Sequence, residues 1–332
     1  MHTYIDESGT FTATFGRSSI SVVGALIVPS ALQTRLREAY GPVRRTLPKD
    51  DGEVKGRGLS EEHFERVIHA IRGLDVLFEV VMIDVGLHSE NEIRAHKLGQ
   101  EAAITANPTG NPHESIHRQL RDLRTRLERM PLQLYVQSVV TFELVRRVLD
   151  IGCTYYAQRR PRELARFHWI VDAKDRARTT DWEDWWSFVV LPSLQSKSTR
   201  EPMPMLEGAD YSHMERFVGD APDWLVPFAE GRDLTEGVLD LKAMLTENFR
   251  FSPHQEVGLE LVDILCSALR RALNGNLGER GWRDLHQLMV NRKGQCVGMI
   301  SMGAAVPDQE TMPYRRTLMT GFRRGGRVML VG

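Results

Sequence analysis

Acidic residues close three apolar segments of this chain, at positions where carboxylates are uncommon. Asp6 and Glu7 directly follow an apolar pair, and Asp172 and Asp84 each end an apolar run. Strands are depleted in Asp and Glu, whereas open α/β sheets bind ligands beyond the carboxyl ends of their strands. The segment 6–9, Asp-Glu-Ser-Gly, is also good turn chemistry. We treat Asp6, Glu7 and Asp172 as candidate site residues and Asp84 as a rival to them.

A further group of carboxylates lies on one predicted helix. The segment 256–273 is largely apolar, yet Glu256, Glu260 and Asp263 stand at positions i, i+4 and i+7, on one helical face. Like charges at these spacings repel by about 0.2–0.5 kcal/mol per pair, and by more when they are partly buried. A bound cation or a basic partner would relieve this repulsion. The alternative is a solvated edge of an amphipathic helix.

Together these carboxylates predict a metal site. Asp6, Glu7, Asp172 and Asp263 offer hard oxygen ligands, which suit Mg²⁺ or Mn²⁺. Two such ions about 3.5–4 Å apart would clamp the attacking and leaving oxygens of a phosphodiester. If Asp172 and not its rival Asp84 belongs to the site, Asp6 would bridge the two ions and Asp172 and Asp263 would hold one each. Glu7 or Glu53 would complete or orient the site.

The tripeptide Glu53-Val54-Lys55 places an acid and a lysine at alternate positions. Lys55 would contact a phosphate or orient a carboxylate in the predicted site. The same pattern occurs in restriction-endonuclease-like sites, which also need an Asp further upstream on an adjoining strand. Asp50 and Asp51 are too near for that role, and Asp6 lies on an earlier strand. That chemistry remains the second option, and a charged loop is the alternative to both.

The hydrophobic pattern predicts the elements that must position these residues. We predict strands over 2–11, 19–28, 76–85, 167–172, 248–252 and 297–302, and the first of these is predicted to be broken by a turn at 6–9. We predict helices over 60–72, 132–158, 182–197 and 256–273. The segment 88–160, which includes the second of these, is predicted to be helical. Three early strands follow one another along the chain, and two later strands are separated by helices. This order indicates an α/β fold with a mixed sheet and helical cover.

The opening residues, Tyr4-Ile5-Asp6-Glu7-Ser8-Gly9-Thr10-Phe11, resemble the signature of the domain-of-unknown-function 3800 family. Three further segments resemble elements of that family in the same order: an acid-x-lysine element at 53–55, a strand-end aspartate at 170–172 and a closing helix at 258–265. Glu260 and Val262 depart from the pattern, because they stand where the family usually has Gln and Ala. Neither departure removes an expected ligand.

The resemblance implies a ribonuclease H-like fold, which is a mixed sheet with helices on both faces. An enlarged helical insertion would occupy about 88–160, within a domain at 1–275. The residues 276–332 would form a C-terminal extension, in which no pattern of the family is found. The resemblance also implies nuclease activity.

The same resemblance implies where the acidic residues lie in the fold. Asp6 would stand on the central strand, Asp172 on the neighbouring fourth strand and Asp263 on the last helix. Asp84 would then lie on the far edge of the three early strands, away from the other acids. The resemblance therefore favours Asp6, Asp172 and Asp263 over Asp84.

The segment 311–332 contains five arginines and no acid. Because the formal net charge of the chain is −1, no global positive field would hold nucleic acid, and any affinity must be local. We predict that four of these arginines contact substrate phosphates: Arg315, Arg316, Arg323 and Arg324. The alternative is a segment that packs against its own chain or another subunit.

The composition excludes several classes of protein. With 42% hydrophobic and 26% charged residues, the chain of 332 residues has enough apolar side chains for a folded core. The three cysteines are far apart without a Cys-x-x-Cys pair, which disfavours a disulfide framework or a thiolate zinc site and fits a reducing cytoplasm. No glycine-rich phosphate loop, signal-peptide pattern or membrane-spanning apolar run is found.

We therefore predict a cytoplasmic nuclease that depends on two Mg²⁺ or Mn²⁺ ions and hydrolyses phosphodiester bonds of RNA or DNA. The predicted catalytic residues are Asp6, Asp172, Asp263, Glu53 and Lys55. The alternative is a catalytically silent ribonuclease H-like module that binds nucleic acid or a protein partner. The sequence is compatible with an endonuclease and with an exonuclease. It is also compatible with a homo-oligomer.

Overall fold

The computed structural model describes most of the chain as an α/β fold around one mixed sheet of six strands. The described residues are 1–13, 19–106, 114–173, 182–183, 186, 194, 201–223, 225–226, 237–292, 295–303 and 313–330. The predicted α/β class and the predicted mixed sheet are confirmed. Most of the predicted helix 182–197 lies outside the described residues.

The sheet forms from strands that match the predicted apolar segments. The strands are β1 (His2–Ser8), β2 (Ile20–Val28), β3 (Leu77–Asp84), β4 (His168–Asp172), β7 (Phe249–Ser252) and β9 (Gly298–Ile300). Their order across the sheet is β7-β4-β1-β2-β3-β9. β2 runs antiparallel to β1 and β3, whereas β4 is parallel to β1 and to β7, and β9 is parallel to β3. β1 is therefore an interior strand with β4 beside it.

Strand β1 continues through the acidic motif instead of turning there. Asp6, Glu7 and Ser8 pair with residues of β2 in unbroken register. The chain leaves the strand only at Gly9, whose φ of +130° is a conformation that L residues rarely adopt. The turn therefore begins after the acids, and Asp6 and Glu7 point to opposite faces of the sheet.

Helices cover both faces of the sheet. The other elements are α1 (Gln33–Arg45), α2 (Glu61–Ile71), α3 (Glu90–Ala106), α4 (Glu114–Arg129), α5 (Leu132–Arg159), α6 (Leu241–Thr246), α7 (Val257–Leu273), α8 (Pro313–Gly325) and the short strands β5 (Val218–Gly219), β6 (Val238–Leu239), β8 (Val290–Asn291) and β10 (Arg327–Val328). Alternate side chains of β1 enter two hydrophobic cores on opposite faces of the sheet. Tyr4 packs with α7 in one core, and Ile5 packs with α5 in the other. The described part of the predicted helical segment 88–160 contains α3, α4 and α5.

Residues after 275 pack directly on this framework. β9 pairs with β3 at one edge of the sheet, and α8 buries Leu318 and Phe322 in the core that contains α7. All three cysteines are buried and unpaired by disulfides. Among the described residues, no helix combines the length and the apolar character needed to span a bilayer.

Candidate active site

One cleft collects five of the predicted site residues from four separate segments of the chain. It lies beside α7, where β1 and β4 end. The five residues are Asp6, Glu53, Lys55, Asp172 and Asp263. The rest of the lining comes from Val54, from Ala173, from the segment 253–256 and from the first turns of α7.

The register of two parallel strands brings Asp6 and Asp172 together. Ile5 of β1 is paired with Val171 of β4, so Asp6 and Asp172 are the next residues along adjacent strands, which lie about 4.8 Å apart. Both point to the face that α7 covers, because Tyr4, two residues before Asp6, packs with that helix. A slip of one residue in the register would turn one carboxylate away from the other.

Helix α7 approaches the sheet closely enough to place Asp263 in the same cleft. A Cβ at Gly258 would overlap the ring of Tyr4, so only glycine allows the helix to lie directly on β1 at this point. Leu259, Val262 and their neighbours form the buried stripe of the helix, which leaves Asp263 on the side that faces the cleft. Burial raises the pKa of Asp263, while the Gly56 N–H and nearby Lys55 oppose that rise.

The loop that carries Glu53 and Lys55 is held in place by its own turn and by Asp263. Asp50 and Glu53 exchange two backbone hydrogen bonds of 2.8 and 2.9 Å around a turn that places Gly52 at a φ of +82°. The Gly56 N–H then donates to Asp263 Oδ2 at 2.9 Å. These contacts place the loop at the rim of the cleft.

Lys55 supplies a positive charge among the cleft carboxylates. Its Nζ lies 2.5 Å from Glu53 Oε2. Partial burial lowers the pKa of Lys55, but the hydrogen bond to Glu53 and the charges of Glu53, Asp263 and Asp172 outweigh that effect and raise it. Lys55 is therefore protonated at neutral pH, and the charges of Asp172 and Asp263 stabilise it.

The two other acids on the face of Asp263 are neutralised by arginines. Glu260 receives hydrogen bonds from Arg44 Nε at 2.7 Å, from a second Arg44 nitrogen at 2.9 Å and from the Tyr40 hydroxyl at 2.7 Å. Both terminal nitrogens of Arg250 donate hydrogen bonds to the carboxylate of Glu256. The repulsion expected along this helix face is thus relieved by the protein itself at two of the three positions.

Glu7, Asp84 and the C-terminal arginines lie outside the cleft lining. Glu7 projects from the opposite face of β1, and Asp84 Oδ1 accepts the backbone N–H groups of Ser19 and Gly86, at 2.9 and 3.1 Å. Asp84 is therefore held by the turn after β3. Arg316 lies instead in a second groove that contains Trp282, and Arg323 is exposed; the side chains of Arg315 and Arg324 are not described.

The donor set of the cleft suits a hard divalent cation. Asp6, Asp172, Asp263 and Glu53 provide only carboxylate oxygens, the ligands that Mg²⁺ and Mn²⁺ prefer. A bound cation would also favour the charged form of Asp263, whose pKa is raised by burial. Over the residues that the structure describes, no three His, Cys, Asp or Glu side chains already stand close enough to hold an ion.

No protein-family model matches this chain, and no curated protein or solved structure is significantly similar to it. The geometry of the cleft and the order of the strands therefore carry the functional interpretation.

Proposed function

We propose that the protein is a metal-dependent nuclease that works in the cytoplasm and cleaves phosphodiester bonds of RNA or DNA at the acidic cleft. The observation that carries this proposal is the convergence of Asp6, Glu53, Lys55, Asp172 and Asp263 in one cleft. These residues come from two strands, one loop and one helix. A structural explanation for any one of them would not account for their meeting.

The order of the central strands supports a ribonuclease H-like core. Counted along the chain, the first three strands lie side by side as an antiparallel meander, and β4 and β7 follow on the other side of β1 in parallel. The resemblance of the opening motif to the domain-of-unknown-function 3800 family implies the same core. β9 is an addition at the far edge, beside β3.

Each cleft residue has a distinct role in this proposal. Asp6, Asp172 and Asp263 would hold Mg²⁺ or Mn²⁺, and two such ions supply an activated water and stabilise the leaving oxygen. Glu53 fixes the ammonium of Lys55 at the rim. Lys55, which is exposed on one side, offers its charge to a phosphate entering the cleft. The neighbouring Glu260 keeps the helix and the loop in place through Arg44.

A catalytically silent binding module is the second candidate. The observation that favours it is Lys55 itself, because its ammonium already compensates part of the charge of Glu53, Asp172 and Asp263. A cleft that carries its own cation needs no metal to be stable. Such a module would bind nucleic acid or a protein partner without cleaving it.

Cleavage of end-labelled DNA and RNA separates the two candidates. We expect Mg²⁺- or Mn²⁺-dependent cleavage by the natural protein, its loss in Asp172→Asn, and its retention in Asp50→Asn, a control whose exposed carboxylate pairs with Arg57 outside the cleft. Nucleic-acid binding without cleavage under any metal would favour the silent module. Cleavage that persists in Asp172→Asn would overturn the assignment of this site.

A further inference from the structure

Arg270 is a half-buried cation on the same side of α7 as Asp263. The two residues are seven positions apart, so they share one helix face about 10 Å along its axis. Arg270 Nε donates to the Ser8 hydroxyl at 2.9 Å. Ser8 follows Asp6 by two residues on β1, which places it on the same face of the sheet and about 7 Å further along. Arg270 therefore stands next to the cleft, beyond Asp6.

The electrostatic surroundings of Arg270 differ from those of the other arginines near the sheet. Arg44, Arg147 and Arg250 each form an ion pair with a glutamate. For Arg270, the partner is a neutral hydroxyl, and no carboxylate within the described residues lies at ion-pair distance. Burial and the adjacent Arg271 lower the pKa of Arg270, which Asp263 only partly opposes.

The position of Arg270 is fixed from both ends. Beyond Ser8, the turn is held by a hydrogen bond of 3.1 Å from the Phe11 N–H to the Ser21 hydroxyl, and the Phe11 ring is buried. After Arg270, the Asn274 side chain donates to the Arg270 carbonyl and accepts from the Ile20 N–H. The Ser8 hydroxyl thus holds the guanidinium on a fixed backbone, and among the described residues no carboxylate pairs with it. A desolvated cation held in this way is costly unless an anion binds to it.

We propose that Arg270, oriented by Ser8, binds a backbone phosphate of the nucleic-acid strand next to the phosphate that lies at the acidic cleft. This inference rests on the proposed function, because it takes the ligand to be the nuclease substrate. The planar guanidinium offers its remaining N–H donors to phosphate oxygens, for which it is well suited. The strand would then run from the cleft along the end of β1 toward Ser8.

Arg271 provides a matched control, since it is the next residue on the same helix and has a structural role. Its Nη1 donates to the Leu59 carbonyl at 2.6 Å, and its guanidinium lies over the ring of Phe64 at 5.3 Å. Replacing Arg271 should therefore lower the melting temperature and leave nucleic-acid affinity unchanged. Arg270 has no ion-pair partner among the residues that the structure describes, so its replacement should weaken nucleic-acid binding and leave the melting temperature unchanged or higher.

The test measures binding of a fluorescein-labelled single-stranded DNA and RNA in Ca²⁺, by anisotropy over a range of salt concentrations. We expect Arg270→Gln to weaken binding about tenfold, to reduce the slope of log affinity against log salt by about 0.7–0.9, and to keep or raise the melting temperature. Ser8→Ala should weaken binding less than Arg270→Gln does. The double variant should bind no more weakly than Arg270→Gln alone.

The outcomes distinguish this inference from the proposed function. Affinity and salt slope in Arg270→Gln that equal those of the natural protein would overturn the phosphate contact, while cleavage at the acidic site could still be present. A natural protein that binds neither oligonucleotide would overturn both. A loss of affinity in Arg270→Gln that is accompanied by a lower melting temperature would assign Arg270 a structural role and reject the contact.

Discussion

The Gly56 N–H donates to Asp263 Oδ2 at 2.9 Å, and this bond joins the loop that carries Glu53 and Lys55 to the helix that carries Asp263. The approach is only possible for glycine, because a Cβ at Gly56 would overlap the side chain of Ser267 on the same helix. This close contact therefore helps to position the loop against the helix, together with the bond from the Val54 N–H to Glu260 Oε2.

Gly56→Ala should displace this loop and disturb the cleft. Overpacking of this kind costs about 1–3 kcal/mol, so we expect a lower melting temperature and a loss of cleavage together. Gly58→Ala is the matched control, because a Cβ at Gly58 has nothing within 4 Å. Thermal unfolding and the cleavage assay check both variants. Equal stability and activity of the two would contradict the proposed contact.

Asp263→Asn should abolish metal-dependent cleavage without destabilising the protein in the absence of metal. Burial raises the pKa of the Asp263 carboxyl, so its charged form costs folding free energy above that pKa, and the cost disappears as pH falls below the unfolded value of about 3.9. At neutral pH the variant should therefore be at least as stable as the natural protein. The difference in their free energies of unfolding should decrease as the pH falls.

Metal should reverse this order of stability. A cation present at about a hundred times its dissociation constant stabilises the folded state by about 2.7 kcal/mol, and the natural protein should gain more from it than Asp263→Asn. Differential scanning fluorimetry with and without Mg²⁺, across a pH series, makes the comparison. A marked fall in the melting temperature of Asp263→Asn without metal would show that the carboxylate is a structural partner of Gly56.

Arg147→Met should destabilise the protein in a pH-dependent manner, through the opposite face of the sheet. Arg147 Nε donates to Glu79 Oε1 at 2.7 Å, and both side chains are buried. Burial raises the pKa of Glu79 to about 7 even with this partner. Removing the arginine leaves a buried carboxylate, which costs about 3–5 kcal/mol.

The cost of Arg147→Met should be largest above about pH 7 and smaller near pH 5. A folded-state pKa above the unfolded value means that stability is retained at low pH, where Glu79 is protonated, and lost as pH rises. The double variant Glu79→Gln with Arg147→Met leaves no charge uncompensated and should recover most of the loss. Urea unfolding at both pH values tests this; a deficit independent of pH would exclude Glu79 as its cause.

Replacing Arg315, Arg316, Arg323 and Arg324 together by Ala should weaken nucleic-acid binding and flatten its salt dependence, because each lost phosphate contact reduces the log–log slope by about 0.7–0.9. Helix α8 should remain folded, since it is anchored by buried Leu318 and Phe322 while Arg316 and Arg323 are exposed. Single-turnover cleavage at saturation should change little. Unchanged affinity with an altered assembly state would assign these arginines to packing.

Local sequence patterns predicted the elements that hold Asp6, Asp172 and Asp263, because each pattern is contained within a short segment. Apolar runs defined the strands, and helical spacing defined α7. The fact that Asp6 and Asp172 point to one face depends on the register of Ile5 with Val171. The family resemblance implied only that the two strands are neighbours, and nothing within either segment sets their register.

The pairs that complete the site could not be predicted from sequence, because their members lie far apart along the chain. Arg44 and Glu260 are separated by 216 positions, and Ser8 and Arg270 by 262. The turn chemistry at 6–9 was also misleading as an alternative, since pairing with β2 keeps Asp6 and Glu7 in the strand. Local patterns singled out Glu260 on the face of Asp263, but they gave no indication that Arg44 is its partner or that Ser8 contacts Arg270.

The central claim is that Asp6, Asp172 and Asp263 form a two-metal site for phosphodiester cleavage. The most direct test is an anomalous difference map, at the manganese edge, of crystals of the natural protein soaked with Mn²⁺ and a non-cleavable oligonucleotide. If the claim is right, the map should contain two peaks in the cleft, about 3.5–4 Å apart, with Asp6 contacting both and Asp172 and Asp263 contacting one each. A cleft with no manganese peak, and the Lys55 ammonium among the carboxylates instead, would contradict it.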